Sequence, residues 1–401
     1  MKILHILRNP RTALLLLAAF LVCTPAHATL RGLVNEPDTI GDKIIKLADG
    51  SYYKGETILN RVPNGKGEQV YENGERYEGE FVKGKRQGEG IYYFEDGSRY
   101  EGAWVQNKPN GKGIRYDADG GCFDGFFLQG EPSGYGTMTY ANGDQYVGMW
   151  ENGKREGQGT YTWKDKSSYN GDWKDDAKEG KGTLVYADGS GYEGDWRANT
   201  RYGVGTYHYA NGEIYEGAWR EDVKHGIGTY HFRNGDVYAG EYRYGRRTGK
   251  GIYTYANGDT YNGDIVDGFM HGRGLFSYAN GNSYDGEWSK GLRSGKGTFT
   301  SPTGDSYKGE WRFGVPHGHG RLIDNVTKHR FEGNFNDGKR VGEFQEYDSE
   351  GRFIQKMTFS GGRVTFTGIG SGMDDEGGDN GEGEGDGDYV DDSEDAEEDE
   401  E

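Results

Sequence analysis

Between Tyr53 and Phe353 the apolar residues fall at alternate positions in short runs, and glycines bracket each run. In Tyr215-Glu-Gly-Ala-Trp219 the first, third and fifth residues are aromatic, glycine and aromatic. A period of two puts them on one face of a β-strand, with Glu216 and Ala218 on the other. Gly226-Ile-Gly228-Thr-Tyr-His-Phe232 predicts a second strand, and Asn234-Gly235 closes the unit before Tyr238 opens the next. Asn-Gly and Asp-Gly favour two-residue turns, because both turn residues must tolerate positive φ. Such pairs recur at Asn73-Gly74, Asp96-Gly97, Asn142-Gly143, Asp188-Gly189, Asn211-Gly212, Asn257-Gly258 and Asn280-Gly281. The expected unit is therefore two short antiparallel strands joined by glycine turns.

The unit repeats. Aligned on aromatic-x-Gly, it starts at Tyr53, Tyr77, Tyr100, Phe123, Tyr146, Tyr169, Tyr192, Tyr215, Tyr238, Tyr261, Tyr284, Tyr307 and Phe331. The step is 23 residues ten times in succession from Tyr77 to Tyr307, and 24 at each end. A lone hairpin is unstable in water, whereas stacked hairpins share a continuous apolar row, as in a solenoid. Thirteen units of two strands each predict an all-β, elongated stack on the order of 120 Å long. The structural aromatics of that stack are Tyr100 and Trp104, Tyr146 and Trp150, Tyr169 and Trp173, Tyr192 and Trp196, Tyr215 and Trp219, Tyr284 and Trp288, and Tyr307 and Trp311.

Composition agrees with this source of cohesion. Only 32% of the 401 residues are hydrophobic, whereas 73 are glycine and 14% are aromatic, 31 of them tyrosine. Disordered chains are poor in aromatics and collagen needs abundant proline, of which there are 8 residues. Buried apolar surface must come mainly from tyrosine and tryptophan.

Tyr-x-Gly-x-Trp-x-x-Gly-x-x-x-Gly-x-Gly at a period of 23 resembles the MORN repeat (membrane occupation and recognition nexus). Tyr146-Val-Gly-Met-Trp150-Glu-Asn-Gly153-Lys-Arg-Glu-Gly157-Gln-Gly159 carries the pattern without gaps. The resemblance implies a stack of antiparallel β-hairpins, a MORN-repeat solenoid, that binds protein partners, membranes or itself. Enzymes with such arrays carry a separate kinase or methyltransferase domain, and residues 29–52 and 354–401 are too few to form one. The pattern is broken by Thr57 and Ile265 at the Trp position, and by Asp165-Lys166 where Asn-Gly is expected. The strongest break is Leu322-Ile-Asp-Asn-Val-Thr-Lys-His-Arg330, with no turn glycine and one extra residue. The expected organisation is a signal peptide at 1–28, a lead-in with a partial repeat at 29–52, repeats at 53–353, a C-terminal cap at 354–372 and a disordered acidic tail at 373–401.

No catalytic, cofactor-binding or metal-ligating set is expected. Gly180-Lys181-Gly182-Thr183 and Gly249-Lys250-Gly251 lack the Ser or Thr that follows Lys in a phosphate loop. His225, His271 and His317 share one repeat column, which does not converge three or four ligands on a metal. Bases recur near the first turn of each unit as Lys85, Arg86, Lys108, Lys154, Arg155, Lys178, Arg201, Lys224, Arg246, Arg247 and Arg293. Spaced regularly they form a candidate stripe for anionic lipid or a partner, since each base near a charged bilayer contributes up to about 1 kcal/mol. Acids such as Glu78, Glu80, Glu101, Asp172, Glu193, Glu216, Glu241 and Glu287 mark the opposite face of the first strand.

The net charge of −19 belongs mostly to one end. Residues 374–401 hold 17 acids and no base, leaving the body between residue 28 and residue 374 with 49 acids against 44 bases. With no basic excess, nucleic acid is not an expected partner. Lys2, Arg8 and Arg11, the apolar run Ala13–Cys23 and Ala26-x-Ala28 have the three parts of a secretory signal. Cleavage would place the protein in the secretory pathway or outside the cytoplasm, and Asn325-Val-Thr327 is then a glycosylation acceptor. Without cleavage, a cytoplasmic protein associated with cytoskeleton or membrane is the alternative. The functional expectation is a non-catalytic scaffold or tether, with a homodimer as the favoured oligomer. The alternatives are an anionic phospholipid binder and a radial-spoke or cytoskeletal subunit.

Overall fold

The computed structural model describes residues 44–59 and 61–369. The segment expected to be a signal peptide, most of the lead-in and the acidic tail lie outside the described residues. Two units divide the chain, residues 1–200 and 201–401. Each is an antiparallel meander in which every strand pairs with its neighbours in sequence, and the described residues contain strands and no helix. A typical repeat consists of a seven-residue strand, Gln145–Glu151, and a nine-residue strand, Lys154–Thr162.

The two hairpin turns differ, and their assignment corrects the sequence reading. Asn152 (φ 50°) and Gly153 (φ 79°) join those two strands, so the two-residue turn with both φ positive follows the first strand. The Asn-Gly pairs read as two-residue turns instead sit in three-residue loops. Tyr209 donates its N–H to the Glu213 carbonyl at 2.9 Å, and Gly212 donates to the Tyr209 carbonyl at 3.0 Å. Only Gly212 has positive φ (94°), and the Asn211 side chain accepts a hydrogen bond from the Glu213 N–H. Register explains the choice. A three-residue loop sets Tyr207 opposite Tyr215, both on the aromatic face. A two-residue turn at Asn211-Gly212 would slide the pairing by one and set Tyr207 against Glu216, turning the strand over.

Glycines from successive strands face one another in a row. In the first unit Gly136, Gly148, Gly159, Gly171 and Gly182 are cross-strand partners in turn, and in the second Gly240, Gly251, Gly263, Gly274, Gly286 and Gly297 continue the same arrangement. Each repeat's tyrosine ring lies over a pair of them. A Cβ on Gly159 would stand 2.1 Å from the Tyr146 hydroxyl oxygen and 2.4 Å from its Cζ. The ring is held there because its hydroxyl donates to the carbonyl three residues on, Tyr146 to Met149 at 3.1 Å and Tyr215 to Ala218 at 3.0 Å. In the Gly-x-Gly motif the two glycines serve different needs. Gly157 takes φ 62° where the register breaks between Gly148 and Trp150, while Gly159 leaves room for the ring.

Over this row the rings form an edge-to-face chain. Tyr146 meets Trp150 of its own repeat at 5.2 Å and Trp173 of the next at 5.3 Å, and Tyr169 continues to Trp173 and Trp196. In the second unit Tyr284 lies between Trp288 and Trp311, and Tyr307 between Trp311 and Phe335. These perpendicular contacts suit the ring quadrupoles. Each indole reaches back as well: Trp173 Nε1 donates to the Gly159 carbonyl at 3.1 Å. The tyrosines that open the repeats from Tyr146 to Tyr284 are fully or almost fully buried. Ile265 fills the Trp position without any exposure.

The chain of rings changes form at Gly333, which pairs with Gly320 on the preceding strand but with Phe344 on the following one. The Phe344 ring, fully buried, occupies the space over Gly333 that a tyrosine fills elsewhere. Residues 354–372, expected to cap the array, include most of the hairpin Phe353–Ser360 and Arg363–Ile369, which extends the pairing by two strands.

Three outcomes follow from this packing. Gly159→Ala should cost about 3 kcal/mol through overpacking, whereas Gly189→Ala, with open space but φ 86°, should cost only about 1 kcal/mol. Lys166, held at φ 77° in place of the turn glycine, should give about 1 kcal/mol of stability when changed to glycine. Urea unfolding of the three variants checks both statements. Burial also pushes the Tyr53 and Tyr238 phenols up to about 12, and those of Tyr77, Tyr146 and Tyr284 further still. A phenol whose folded pKa is raised contributes stability that is complete below its unfolded pKa near 10 and is lost above it. Beyond the ionisation of the exposed tyrosines, phenolate absorbance should therefore rise further in one cooperative step, coincident with loss of sheet circular dichroism.

Candidate interaction surface

The basic residues near the tight turn separate into two columns, because consecutive positions of a strand face opposite ways. Lys85, Lys108, Lys154 and Arg246 start their strands and are exposed. Arg86, Arg155, Lys178, Arg201, Lys224, Arg247 and Arg293 stand one place later and lie against the aromatic chain. The Arg155 guanidinium sits 4.3 Å from the Trp173 ring centroid, Arg201 4.4 Å from Trp219, Arg86 4.6 Å from Trp104 and Arg293 4.8 Å from Trp311. Lys178 lies 4.3 Å from Trp196 and Lys224 4.3 Å from Tyr230. Side-chain exposure separates the columns plainly, at 54% for Lys154 and 19% for Arg155.

The inner column is also tied to the next turn. Arg155 Nε donates to the Asp176 carboxylate at 3.0 Å and its Nη2 to the Asp176 carbonyl at 2.9 Å, and Arg201 makes the same pair of bonds to Asp222. Asp176 and Asp222 replace the second turn glycine, with φ 67° and 66°, and each carboxylate also accepts the N–H of the arginine it pairs with. Arg86 bonds to Asn107 in the same place. The charged set that sequence reasoning missed is therefore the acid or amide of the tight turn, 21 residues after its cation. The signal was a basic residue followed 18 positions later by tryptophan.

The opposite face carries the acids. Glu78, Glu80, Glu89 and Glu101 line a shallow groove of about 400 Å³ whose floor includes Gly67, Gly79, Gly90 and Gly102. The lysines of the two glycine-lysine sequences form ion pairs on the sheet, Lys181 with Asp195 and Lys250 with Asp264, both at 2.5 Å. The histidine column does not converge. His225 meets the Tyr244 ring, His317 Nδ1 lies 3.5 Å from Asp337, and the described residues contain no group of three metal-ligating side chains. In the irregular loop the Asn325 amide nitrogen donates to the Thr303 carbonyl at 2.6 Å and its backbone N–H to Asp305 at 2.7 Å.

The two columns should respond differently to truncation. Arg155→Ala is expected to lower stability by about 1–2 kcal/mol through the lost ring contact and packing, with little dependence on salt. Lys154→Ala, whose partner Asp175 is exposed, should leave the unfolding midpoint unchanged.

Comparison with known proteins agrees with the repeat geometry. The MORN repeat matches twelve consecutive segments, from residues 77–99 to residues 331–343. No curated protein matches the chain. Among solved structures, the chain is similar to the SAS-4 (dCPAP) TCP domain of Drosophila melanogaster, solved with a proline-rich motif of Ana2. The identity is 16% over 39% of this chain and 85% of that one, with a TM-score of 0.27. A point mutant of the TCP10 domain of Danio rerio CPAP gives 9% identity over 61% and 99% of the two chains, with a TM-score of 0.20. Likenesses this distant carry no argument. Tyrosines over glycine pairs, tryptophans bridging to the next hairpin and a 23-residue period matched twelve times together make this chain a member of the MORN repeat family.

Proposed function

We propose that this protein is a non-catalytic repeat scaffold that binds protein partners and associates with a second copy of itself. Membership of a non-catalytic repeat family supports the first part. A single observation carries the second. Tyr244 and Phe313, three repeats apart, stand first in tight turns at φ 52° and 50° and are 77% and 76% exposed. A bulky side chain in the left-handed region costs about 1–2 kcal/mol. Within the chain the rings of these two side chains meet neighbouring polar groups, His225 and Arg243 for Tyr244 and Arg312 for Phe313. Aromatic side chains of this kind, on a rim bordered by charged residues, suit an isologous contact.

Static light scattering of the full chain across micromolar concentrations should show a monomer–dimer equilibrium. Tyr244→Gly with Phe313→Gly should shift it to monomer while leaving the fold as stable or more so; a wild-type chain that stays monomeric throughout would remove self-association from the proposal.

A second reading, contact with an anionic bilayer, rests on the exposed outer column alone. Flotation with phosphoinositide vesicles should then fall when Lys85, Lys108, Lys154 and Arg246 are changed to Glu, and unchanged flotation rejects it. Entry to the secretory pathway belongs to the same proposal and is read by sequencing the mature N-terminus, where retention of Met1 would return the protein to the cytoplasm.

A further inference from the structure

Two successive repeats of the second unit, like the repeat of Arg293 with Gly314 in the acid's place, depart from the pairing of inner-column cations with turn acids. Lys224 and Arg247 occupy that column, but the positions corresponding to Asp176 and Asp222 are Gly245 and Gly268. The two missing side chains leave a recess of about 320 Å³ lined by Lys224, Arg247, Gly245, Gly268, Tyr242 and Tyr230, with the exposed Arg246–Asp267 pair at its border. Tyr242 takes the place of a tryptophan. The indole of Trp219 donates to the Gly205 carbonyl at 3.1 Å, yet the Tyr242 hydroxyl, on a residue only 4% exposed, has no hydrogen-bond partner among the described residues. Buried hydroxyls are almost always paired, so an unpaired one beside two cations points to an acceptor supplied from outside.

The Lys224 ammonium is in a similar position. It lies over Tyr230, Tyr215 and Tyr209, and no carboxylate among the described residues is within ion-pair distance of it. The nearby acid, Glu213, accepts the Tyr230 hydroxyl at 2.6 Å. Burial, with Arg247 second, lowers the Lys224 pKa to about 8. A lysine whose folded pKa is depressed opposes folding wherever it is charged, fully below pH 8, and ceases to do so above its unfolded pKa near 10.4.

We infer that this recess is a carboxylate site, taking an aspartyl or glutamyl side chain of an acidic peptide between Lys224, Arg247 and the Tyr242 hydroxyl. The incoming carboxylate stands where Asp222 stands for Arg201. Its hydrogen bonds are charge-assisted, and Tyr230 and Phe232 supply aromatic walls beside it. The inference is independent of self-association, which concerns Tyr244 and Phe313 on the rim. Residues 374–401, with 17 acids and no base, are one source of such a peptide, and another chain is the other.

The test uses a synthetic peptide of residues 374–401, titrated calorimetrically into the full chain with its own 17 tail acids changed to their amides. Saturable one-to-one binding is expected, about tenfold weaker in Lys224→Met and in Tyr242→Phe. Lys154→Met should leave it unaltered. Lys224→Met should also keep or raise the unfolding temperature, which separates loss of the site from loss of the fold, and Tyr242→Phe keeps the ring packing. With the tail acids restored, weaker uptake of the peptide means the chain's own tail fills the site, and equal uptake means the site serves another chain. Absence of saturable binding, or equal weakening by Lys154→Met and Lys224→Met, would overturn the inference.

Discussion

The absence of a Cβ at one row of positions is the constraint on which each unit of this protein depends. A single antiparallel layer has no second layer to cover its apolar face, so its rings must lie down on the sheet rather than stand against a partner. Only glycine lets them do so. With Gly148 and Gly159 facing one another beneath it, the Tyr146 ring comes into contact with backbone, reaches the Met149 carbonyl and still presents two edges to indoles. The core is thus built from aromatic faces and peptide planes, which is why a chain with so few aliphatic residues can bury its tyrosines almost completely.

Much of this was legible in the sequence. The period of two in Tyr-x-Gly-x-Trp identified the strand and its buried face, and the constant 23-residue step identified the repeat. The turns were not legible from dipeptides, because Asn-Gly suits both a two-residue turn and the last two places of a three-residue loop. What decides between them is parity, the requirement that Tyr207 face Tyr215, and this is visible only when both strands are considered together. The cations were misjudged for a related reason. Arg155 and Lys154 are adjacent in sequence but on opposite faces, and the partners of Arg155, Trp173 and Asp176, belong to the following repeat.

The backbone ladder runs alike within and between hairpins, and contacts between repeats add side-chain and turn links to it. Between hairpins an indole donates to a glycine carbonyl, a tight-turn N–H donates to the carbonyl 21 residues earlier, and loop acids such as Asp236 and Asp259 accept the N–H of the next loop. Both rims and the aromatic face are therefore stitched to the neighbouring repeat, so that stability rests on nearest-neighbour terms as much as on any hairpin alone. Where a link is missing, as at Gly245 and Gly268, a recess opens that an outside group can use.

Parity in the three-residue loops also limits how such a gene can change length. Losing or duplicating a whole module leaves every ring over its glycines, because the period is preserved on both sides of the junction. Adding one amino acid to a loop that must set tyrosine against tyrosine reverses the strand beyond it, burying carboxylates and exposing rings. The extra residue between Leu322 and Arg330 is tolerated because Asp324 gathers the N–H groups of Val326 and Thr327 and still delivers Phe331 opposite Leu322. Growth by entire modules, with irregular insertions confined to segments that can absorb the slack, is the history this geometry permits.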